Sequence, residues 1–301
     1  MENFNLYDRK NKKKVIEKVY FRSAIEFLYS QNILSKFFLN LFSKVTFLSK
    51  FYGFLNSKKI SKRKIKPFIK HFEINEREFE KDVNHFRSFN DFFIRKLKKD
   101  ARKIDSDVNT LVFPCDGRFL VFPKISDIDN FSIKGAKFNL LNFLQDENLA
   151  NKYKEGSMLL CRLAPQDYHR FHFPIDCTPT KAKLINGHLF SVNPIALRNN
   201  LKILSENKRM LTILKTENFS DILCIEIGAT NVGSINQTFF PNTKYPKGEE
   251  KGYFALGGSS IAIIFEKDLI KFDDDLISMS KENIETLANF GEVFARKRLS
   301  L

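Results

Sequence analysis

From about residue 110 onward the hydrophobic positions fall in short runs and not at helical spacing. Leu111–Pro114, Phe119–Phe122, Met158–Leu163, Leu211–Lys215, Ile222–Ile227 and Ile261–Phe265 are rich in β-branched and aromatic residues, with Gly, Pro and Asn between them. This pattern predicts the strands of an antiparallel β-rich domain. A helix is predicted around Leu140–Asp146 and another near Glu282–Phe290, stopped by Gly291. Before residue 100 the period changes. Amphipathic segments near 14–30 and 33–55 predict helices, and a short helix from Asn90 to Leu97 follows Ser88, a good capping residue. The stretch 57–67 (SKKISKRKIKP) reads as a basic connector. The expected fold class is α+β: a helical N-terminal region, residues 1–100, attached to an antiparallel β-rich domain, residues 101–301, of sandwich or barrel-like form. No repeat or heptad is present.

Charge divides the chain in the same place. The net charge is +15 over 301 residues, and residues 1–70 carry 17 Lys/Arg against 4 Asp/Glu. An anionic partner is expected, and the concentration of charge in one module favours a membrane surface over nucleic acid. The run from Asn32 to Leu55 is apolar but interrupted by Lys36, Lys44 and Lys50, so it falls short of the roughly 18 apolar residues of a membrane span. Phe37, Leu41, Phe47, Leu48 and Phe51 between these lysines suit a helix lying in the bilayer interface, although a helical hairpin packed on its own domain has the same pattern. Hydrophobic residues at 43% and charged residues at 28% exclude a disordered chain, a collagen and a polytopic membrane protein.

The polar, charged beginning (MENFNLYDRKNKKK) lacks the apolar core of a signal peptide, which predicts an intracellular protein. Cys115, Cys161, Cys177 and Cys224 form no CxxC pair, so neither a disulfide framework nor a zinc site is expected, and the four read as small buried hydrophobes.

Polar residues gather at three places in the β-rich part. Asp116 sits in Phe113-Pro-Cys-Asp-Gly-Arg118, where Asp-Gly is also an ordinary turn dipeptide. His169 and His172 lie three apart in Leu163-Ala-Pro-Gln-Asp-Tyr-His-Arg-Phe-His-Phe-Pro174, with Asp167, Tyr168 and Arg170 between or beside them. An extended segment would not hold two such imidazoles on one metal, and acid–base work near neutral pH is the better use of them. Gly257-Gly-Ser-Ser260 precedes an apolar strand; it is neither a nucleophile elbow nor a P-loop, and alone it also fits a glycine turn.

Taken together these stretches resemble the phosphatidylserine decarboxylase proenzymes, from about residue 87 to 295. The resemblance also rests on Arg87-Ser-Phe-Asn-Asp-Phe-Phe-Ile-Arg95, Ile133-Lys-Gly, Gly187-His-Leu-Phe-Ser-Val-Asn193, Ile227-Gly-Ala-Thr-Asn-Val-Gly-Ser-Ile235 and Gly252-Tyr-Phe. The family's self-cleavage motif most often reads Leu-Gly-Ser-Thr; here Gly257 stands for Leu and Ser260 for Thr, with the Gly-Ser bond kept.

The resemblance implies a precursor that cuts itself between Gly258 and Ser259, giving a β chain, 1–258, and an α chain, 259–301, that remain together as a heterodimer and could oligomerise further. Asp116, His172 and Ser259 would form the charge relay for the cut. Ser259 would become a covalent pyruvoyl group whose carbonyl condenses with the amine of phosphatidylserine, and no metal or pyridoxal phosphate is expected. His169 would donate a proton or position the headgroup, with Tyr168 the lesser candidate. The product would be phosphatidylethanolamine, made by a peripheral enzyme on the cytoplasmic face of the cell membrane, without nucleic acid as partner. A single-chain serine hydrolase and a non-catalytic anionic-lipid-binding protein are the rival expectations.

Overall fold

The computed structural model describes residues 4–18, 53–126, 128, 138–192, 202–229, 234–257 and 259–298. Most of the two N-terminal amphipathic segments, the Ile133-Lys-Gly stretch, Asn193, residues 230–233 and Gly258 lie outside these.

The described strands form one ten-stranded sheet and two three-stranded sheets, mostly antiparallel, with few helices. The large sheet is an open path and not a closed barrel. It runs β2 (Lys13–Ile16), β1 (Asn5–Asp8), β15 (Glu285–Ala288), β4 (Gly117–Phe122), β5 (Ser157–Leu163), β13 (Ser259–Phe265), β10 (Asp221–Gly228), β9 (Arg209–Lys215) and β7 (Thr178–Pro179), with β8 (Lys183–Ile185) also on β9. A second sheet joins β11 (Ser234–Gln237), β12 (Glu250–Ala255) and β6 (Arg170–His172); the third joins β14 (Ile270–Phe272), β16 (Val293–Lys297) and β3 (Thr110–Val112). Strands β5 and β13 are buried along their whole length. That accounts for their continuous apolar runs, which alternation would have replaced in a half-exposed strand.

Six predicted strands are present with small shifts in their ends, and Ser88 caps a helix as expected, accepting from the Asp91 N–H at 3.1 Å. That helix, α2 (Phe89–Phe93), is shorter than predicted, because Leu97 bridges instead to Phe79. Three other elements differ. Residues 13–16, expected to be helical, are strand β2, paired with β1, whose other side runs parallel to β15. The basic stretch at 59–64 is a 3-10 helix that continues into α1 (Ile65–Phe72), with Pro67 in the first turn, where its missing N–H does no harm. The predicted C-terminal helix is strand β15, and the helix lies earlier, at α3 (Asp274–Lys281), where Asp274 and Asp275 suit the positive end of the helix dipole.

Two hydrophobic clusters result. The larger draws residues from all three sheets. The smaller joins Ile65, Phe68, Ile69, Phe79, Val83, Phe86, Phe89, Phe92 and Phe93 to Leu256, the one member among the described residues from outside 65–93. Its phenyl rings meet edge-on, Phe86 and Phe92 at 5.7 Å and Phe68 and Phe89 at 5.2 Å, the arrangement the ring quadrupole favours. The Phe-rich N-terminal segment thus grips the chain two residues before Gly258.

Candidate active site

Four neighbouring interior strands of the large sheet bring the site together at one end. Gly117 opens β4, Leu163 ends β5, Ser259 opens β13 and Gly228 ends β10; Ser259 pairs with both Leu163 and Gly228. Asp116, the Ala164–Asp167 turn and Ser259 therefore stand side by side although they are far apart in sequence. Ser259 and Ser260 are fully buried and neither Oγ has a hydrogen-bond partner. Such an orphaned hydroxyl costs about 1–3 kcal/mol, which makes it a site worth explaining. Just before it the backbone is in the left-handed region at Leu256 (φ 28°) and Gly257 (φ 132°); glycine tolerates this, and a leucine does so under strain.

The histidine segment is turned at that end by Asp167. Its carboxylate accepts the Ala164 N–H at 2.6 Å and pairs with the Arg118 guanidinium, while its own N–H donates to the Ala164 carbonyl at 2.9 Å. His169 meets the same carbonyl through Nε2 at 3.0 Å. A carbonyl can only accept, so Nε2 carries the proton and the buried Nδ1, which has no partner, is bare. Burial, followed by the charge of Arg95, lowers the His169 pKa to about 3. The ring is sandwiched against Phe93 of α2, centroids 3.9 Å apart.

His172 is set the same way by different partners. Its Nδ1 donates to the Gly248 carbonyl at 3.0 Å, so Nε2 is bare and accepts from the Tyr168 hydroxyl at 3.2 Å. Gly248 has φ 84°, and a Cβ there would lie 2.4 Å from Ile104 Cδ1, so this acceptor needs a glycine. The imidazole lies flat on Phe290, centroids 3.8 Å and planes 15° apart. Burial brings its pKa down to about 4, so the ring is neutral at pH 7.

Asp116 makes no hydrogen bond to His172. Its two oxygens are taken by Arg102, at 3.1 and 2.6 Å, and by the Phe290 N–H at 2.8 Å. A planar guanidinium matches a carboxylate better than an imidazole does. Arg102 also donates to Glu78 at 2.8 Å; burial opposes its charge, but the bonds to Asp116 more than offset this and raise its pKa. Asp116 and His172 are joined through Phe290, which bonds to one and stacks on the other.

Beneath the site lies a buried charge cluster. Arg118 and Arg162 stand directly opposite each other on β4 and β5, a repulsive pairing on its own. Glu17, from just after β2, bridges them, 2.9 Å from Arg118 Nε and 2.7 Å from an Arg162 nitrogen, and Glu285 adds a second carboxylate to Arg162. Burial works against the Glu17 charge, but the two guanidiniums hold its pKa below the usual carboxylate range.

Sequence reasoning picked out Asp116, His169, His172, Tyr168 and Ser259, and missed Arg102, Phe93, Phe290, Glu17 and the turn-pinning role of Asp167. Arg102 hides in the lysine-rich run at 96–103, and Phe290 has no polar group to draw attention. Among the described residues no group of three His, Cys, Asp or Glu side chains could hold a metal, and the four cysteines are buried and free, with Cys115 and Cys161 Sγ atoms 3.3 Å apart.

The structure thus holds a buried serine at a strand start whose Oγ has no partner, and two neutral histidines fixed by backbone carbonyls and phenyl rings; neither imidazole bonds to Ser259. Residues 89–295 match the phosphatidylserine decarboxylase family. The chain is 44% identical over 298 residues to the phosphatidylserine decarboxylase proenzyme of Chlamydia pneumoniae, 99% of each chain being covered. It is 50% identical over 210 residues to the proenzyme of Chlamydia muridarum and 48% identical over 211 residues to that of Fusobacterium nucleatum, each alignment covering 70% of both chains. The chain belongs to the phosphatidylserine decarboxylase family.

Proposed function

We propose that this chain is a precursor that cuts itself between Gly258 and Ser259, and that the processed form decarboxylates phosphatidylserine to phosphatidylethanolamine and carbon dioxide. Ser259 carries the proposal: it is the first residue of β13, fully buried, with its Oγ unpartnered. In the cut, Oγ loses its proton and bonds to the Gly258 carbonyl carbon, the C–N bond breaks, and an ester replaces the amide. Elimination then takes the Cα proton and breaks the Cβ–Oγ bond, and hydrolysis releases ammonia and leaves a pyruvoyl group at residue 259. An unmodified new N-terminus would put an ammonium at a fully buried position, which is costly. A neutral keto-acyl group fits there. Once formed, it supplies a carbonyl that can take up the electrons left as carbon dioxide departs.

His172 is the base for the cut. Its Nε2 is bare, its ring is held by Gly248 and Phe290, and its pKa near 4 leaves it unprotonated at pH 7. Asp116 supports it at one remove, by fixing Phe290. His169 handles the proton that goes to the substrate carbon or positions the headgroup: its Nδ1 is bare and unpartnered, and its ring is fixed by the Ala164 carbonyl and Phe93. A conventional serine-hydrolase triad is disfavoured because the Gly248 carbonyl occupies the His172 nitrogen that a carboxylate would need.

The two products stay together in this reading because β13 lies between β5 and β10 in the interior of the large sheet. The membrane is engaged by the basic N-terminal region. Phe54, Leu55 and Ile60 are exposed there beside Lys58, Lys59 and Lys62, apolar and cationic groups that suit an anionic interface. The negatively charged cytoplasmic leaflet of the cell membrane is the surface this charge calls for. No helix among the described residues is long and apolar enough to cross a membrane. Intact mass of purified wild-type and Ser259→Ala protein tests the proposal: two fragments and activity for the first, one inactive chain for the second.

A further inference from the structure

Most buried arginines near the site hold a carboxylate: Arg102 holds Asp116 and Glu78, Arg118 and Arg162 share Glu17, and Arg170 holds Glu250. Arg209 has none, but it donates to the carbonyls of Asn142, Phe143 and Asn207. Arg95 differs from them all. It is only 4% exposed and packs over the rings of Phe79 and Phe92 at 5.2 and 4.8 Å. Its Nη2 donates to the carbonyls of Gln166 and Asp167 at 2.9 and 3.0 Å, and neither Nε nor Nη1 has a partner. The Asp116 and Asp167 carboxylates lie near enough to favour its charge, but neither bonds to Nε or Nη1, which leaves these two nitrogens for a further anion.

Arg95 is also tied to the reacting residues. It grips the 166–167 backbone immediately before Tyr168 and His169, and Phe93, two residues before it, stacks on His169. An anion held by Arg95 is therefore held in fixed relation to His169.

We propose that Arg95 receives the phosphodiester of the lipid headgroup and so positions the substrate for decarboxylation. This rests on the decarboxylase reading above. The serine carboxylate is the other anion of that headgroup, but it loses its charge as carbon dioxide leaves. A cation bound to it would stabilise the ground state more than the transition state. The phosphodiester keeps its charge throughout, so a cation on it holds ground state and transition state equally and its loss appears in KM.

The test uses processed full-length enzyme with phosphatidylserine in mixed micelles, for wild type, Arg95→Gln and Arg95→Lys. Three soluble inhibitors serve as probes: glycerophosphoethanolamine, which has the phosphodiester but no carboxylate; serine, which has the reverse; and inorganic phosphate. Arg95→Gln is expected to raise KM and the inhibition constant of glycerophosphoethanolamine together by tenfold or more, with the loss in KM and not in kcat, and with serine inhibition little changed. Arg95→Lys falls between, and it decides the matter if the Gln variant does not process itself. Weakened serine inhibition with glycerophosphoethanolamine unaffected would assign Arg95 to the carboxylate and overturn the proposal. So would a loss confined to kcat, failure of both variants to self-cleave, or inorganic phosphate inhibiting as strongly as glycerophosphoethanolamine. Wild-type enzyme that releases no carbon dioxide from phosphatidylserine would instead remove the underlying decarboxylase reading.

Discussion

Asp116 and His172 meet across Phe290: Asp116 Oδ1 accepts the Phe290 N–H at 2.8 Å, and the Phe290 ring lies on the His172 imidazole at 3.8 Å. The carboxylate therefore acts on the base by holding a neighbour in place, and its own charge is matched by Arg102. Asp116→Asn keeps an acceptor for Phe290 and loses only the charge, whereas Asp116→Ala leaves both Phe290 N–H and Arg102 without it.

The Ala variant should therefore be destabilised by about 1–3 kcal/mol, the cost of leaving the buried Phe290 N–H unsatisfied, since Arg102 keeps Glu78. The Asn variant should lose less stability and self-cleave faster than the Ala variant. Processing time courses on denaturing gels and urea unfolding of the Ser259→Ala background measure the two effects separately. Equal processing defects in both variants with stability unchanged would point to direct contact between Asp116 and His172 during the cut.

Proton linkage follows from the neutral histidines. His172 has its pKa lowered by burial to about 4, against an ordinary value near 6.5. Between these values the unfolded chain binds the proton and the folded chain does not, so the contribution to stability is complete above pH 6.5 and is lost as pH falls towards 4. For His172 it amounts to roughly 3 kcal/mol, and His169, near 3, adds in the same direction. Self-cleavage should be flat from pH 8 to 6 and fall only on approach to pH 4. An inflection near 6.5 would mean that the base is a solvated histidine.

Glu17 holds apart two arginines that face each other across β4 and β5. Glu17→Gln leaves Arg162 with Glu285 and Arg118 with Asp167, and weakens both. Chemical denaturation should report a loss on the order of 3–5 kcal/mol. Glu17→Gln combined with Arg162→Met should recover part of it, since the second change removes the facing charge. A combined variant no more stable than Glu17→Gln alone would argue against repulsion as the cause.

Leu256 joins the Phe-rich cluster while its backbone sits at φ 28°. Truncation to Ala should cost about 2–5 kcal/mol of stability through the cavity it leaves, and it should slow the cut by freeing the loop before Gly258. Leu256→Met, close in volume, should process near the wild-type rate. The time course of precursor loss distinguishes these, and an Ala variant that processes at the wild-type rate would show that the cluster does not position the scissile bond.

What could be read from the sequence divides along local and non-local lines. Strands β5, β10 and β13 announce themselves because burial on both faces makes them continuously apolar, and Ser88 announces a helix through its cap. Strand β2, KKVI, does not, since two lysines in four residues belong to a strand only when its neighbour and the Glu17 bridge to Arg118 and Arg162 are in place. Strand β15, ETLA, lies in a sequence that favours helix and is overridden by pairing with β1 and β4. The site was legible as far as its unusual residues went: two of five histidines in four positions, and a glycine pair before two serines. Its supports were not, because Arg102, Phe290 and Gly248 owe their roles to partners 14, 174 and 76 positions away.

Self-conversion of Ser259 is the centre of this account, and intact mass of the purified protein tests it most directly. The result predicted is two chains, 1–258 and 259–301, the smaller beginning with a pyruvoyl group in place of serine, and loss of both cleavage and carbon dioxide release in Ser259→Ala. A single 301-residue chain that still releases carbon dioxide from phosphatidylserine would contradict it.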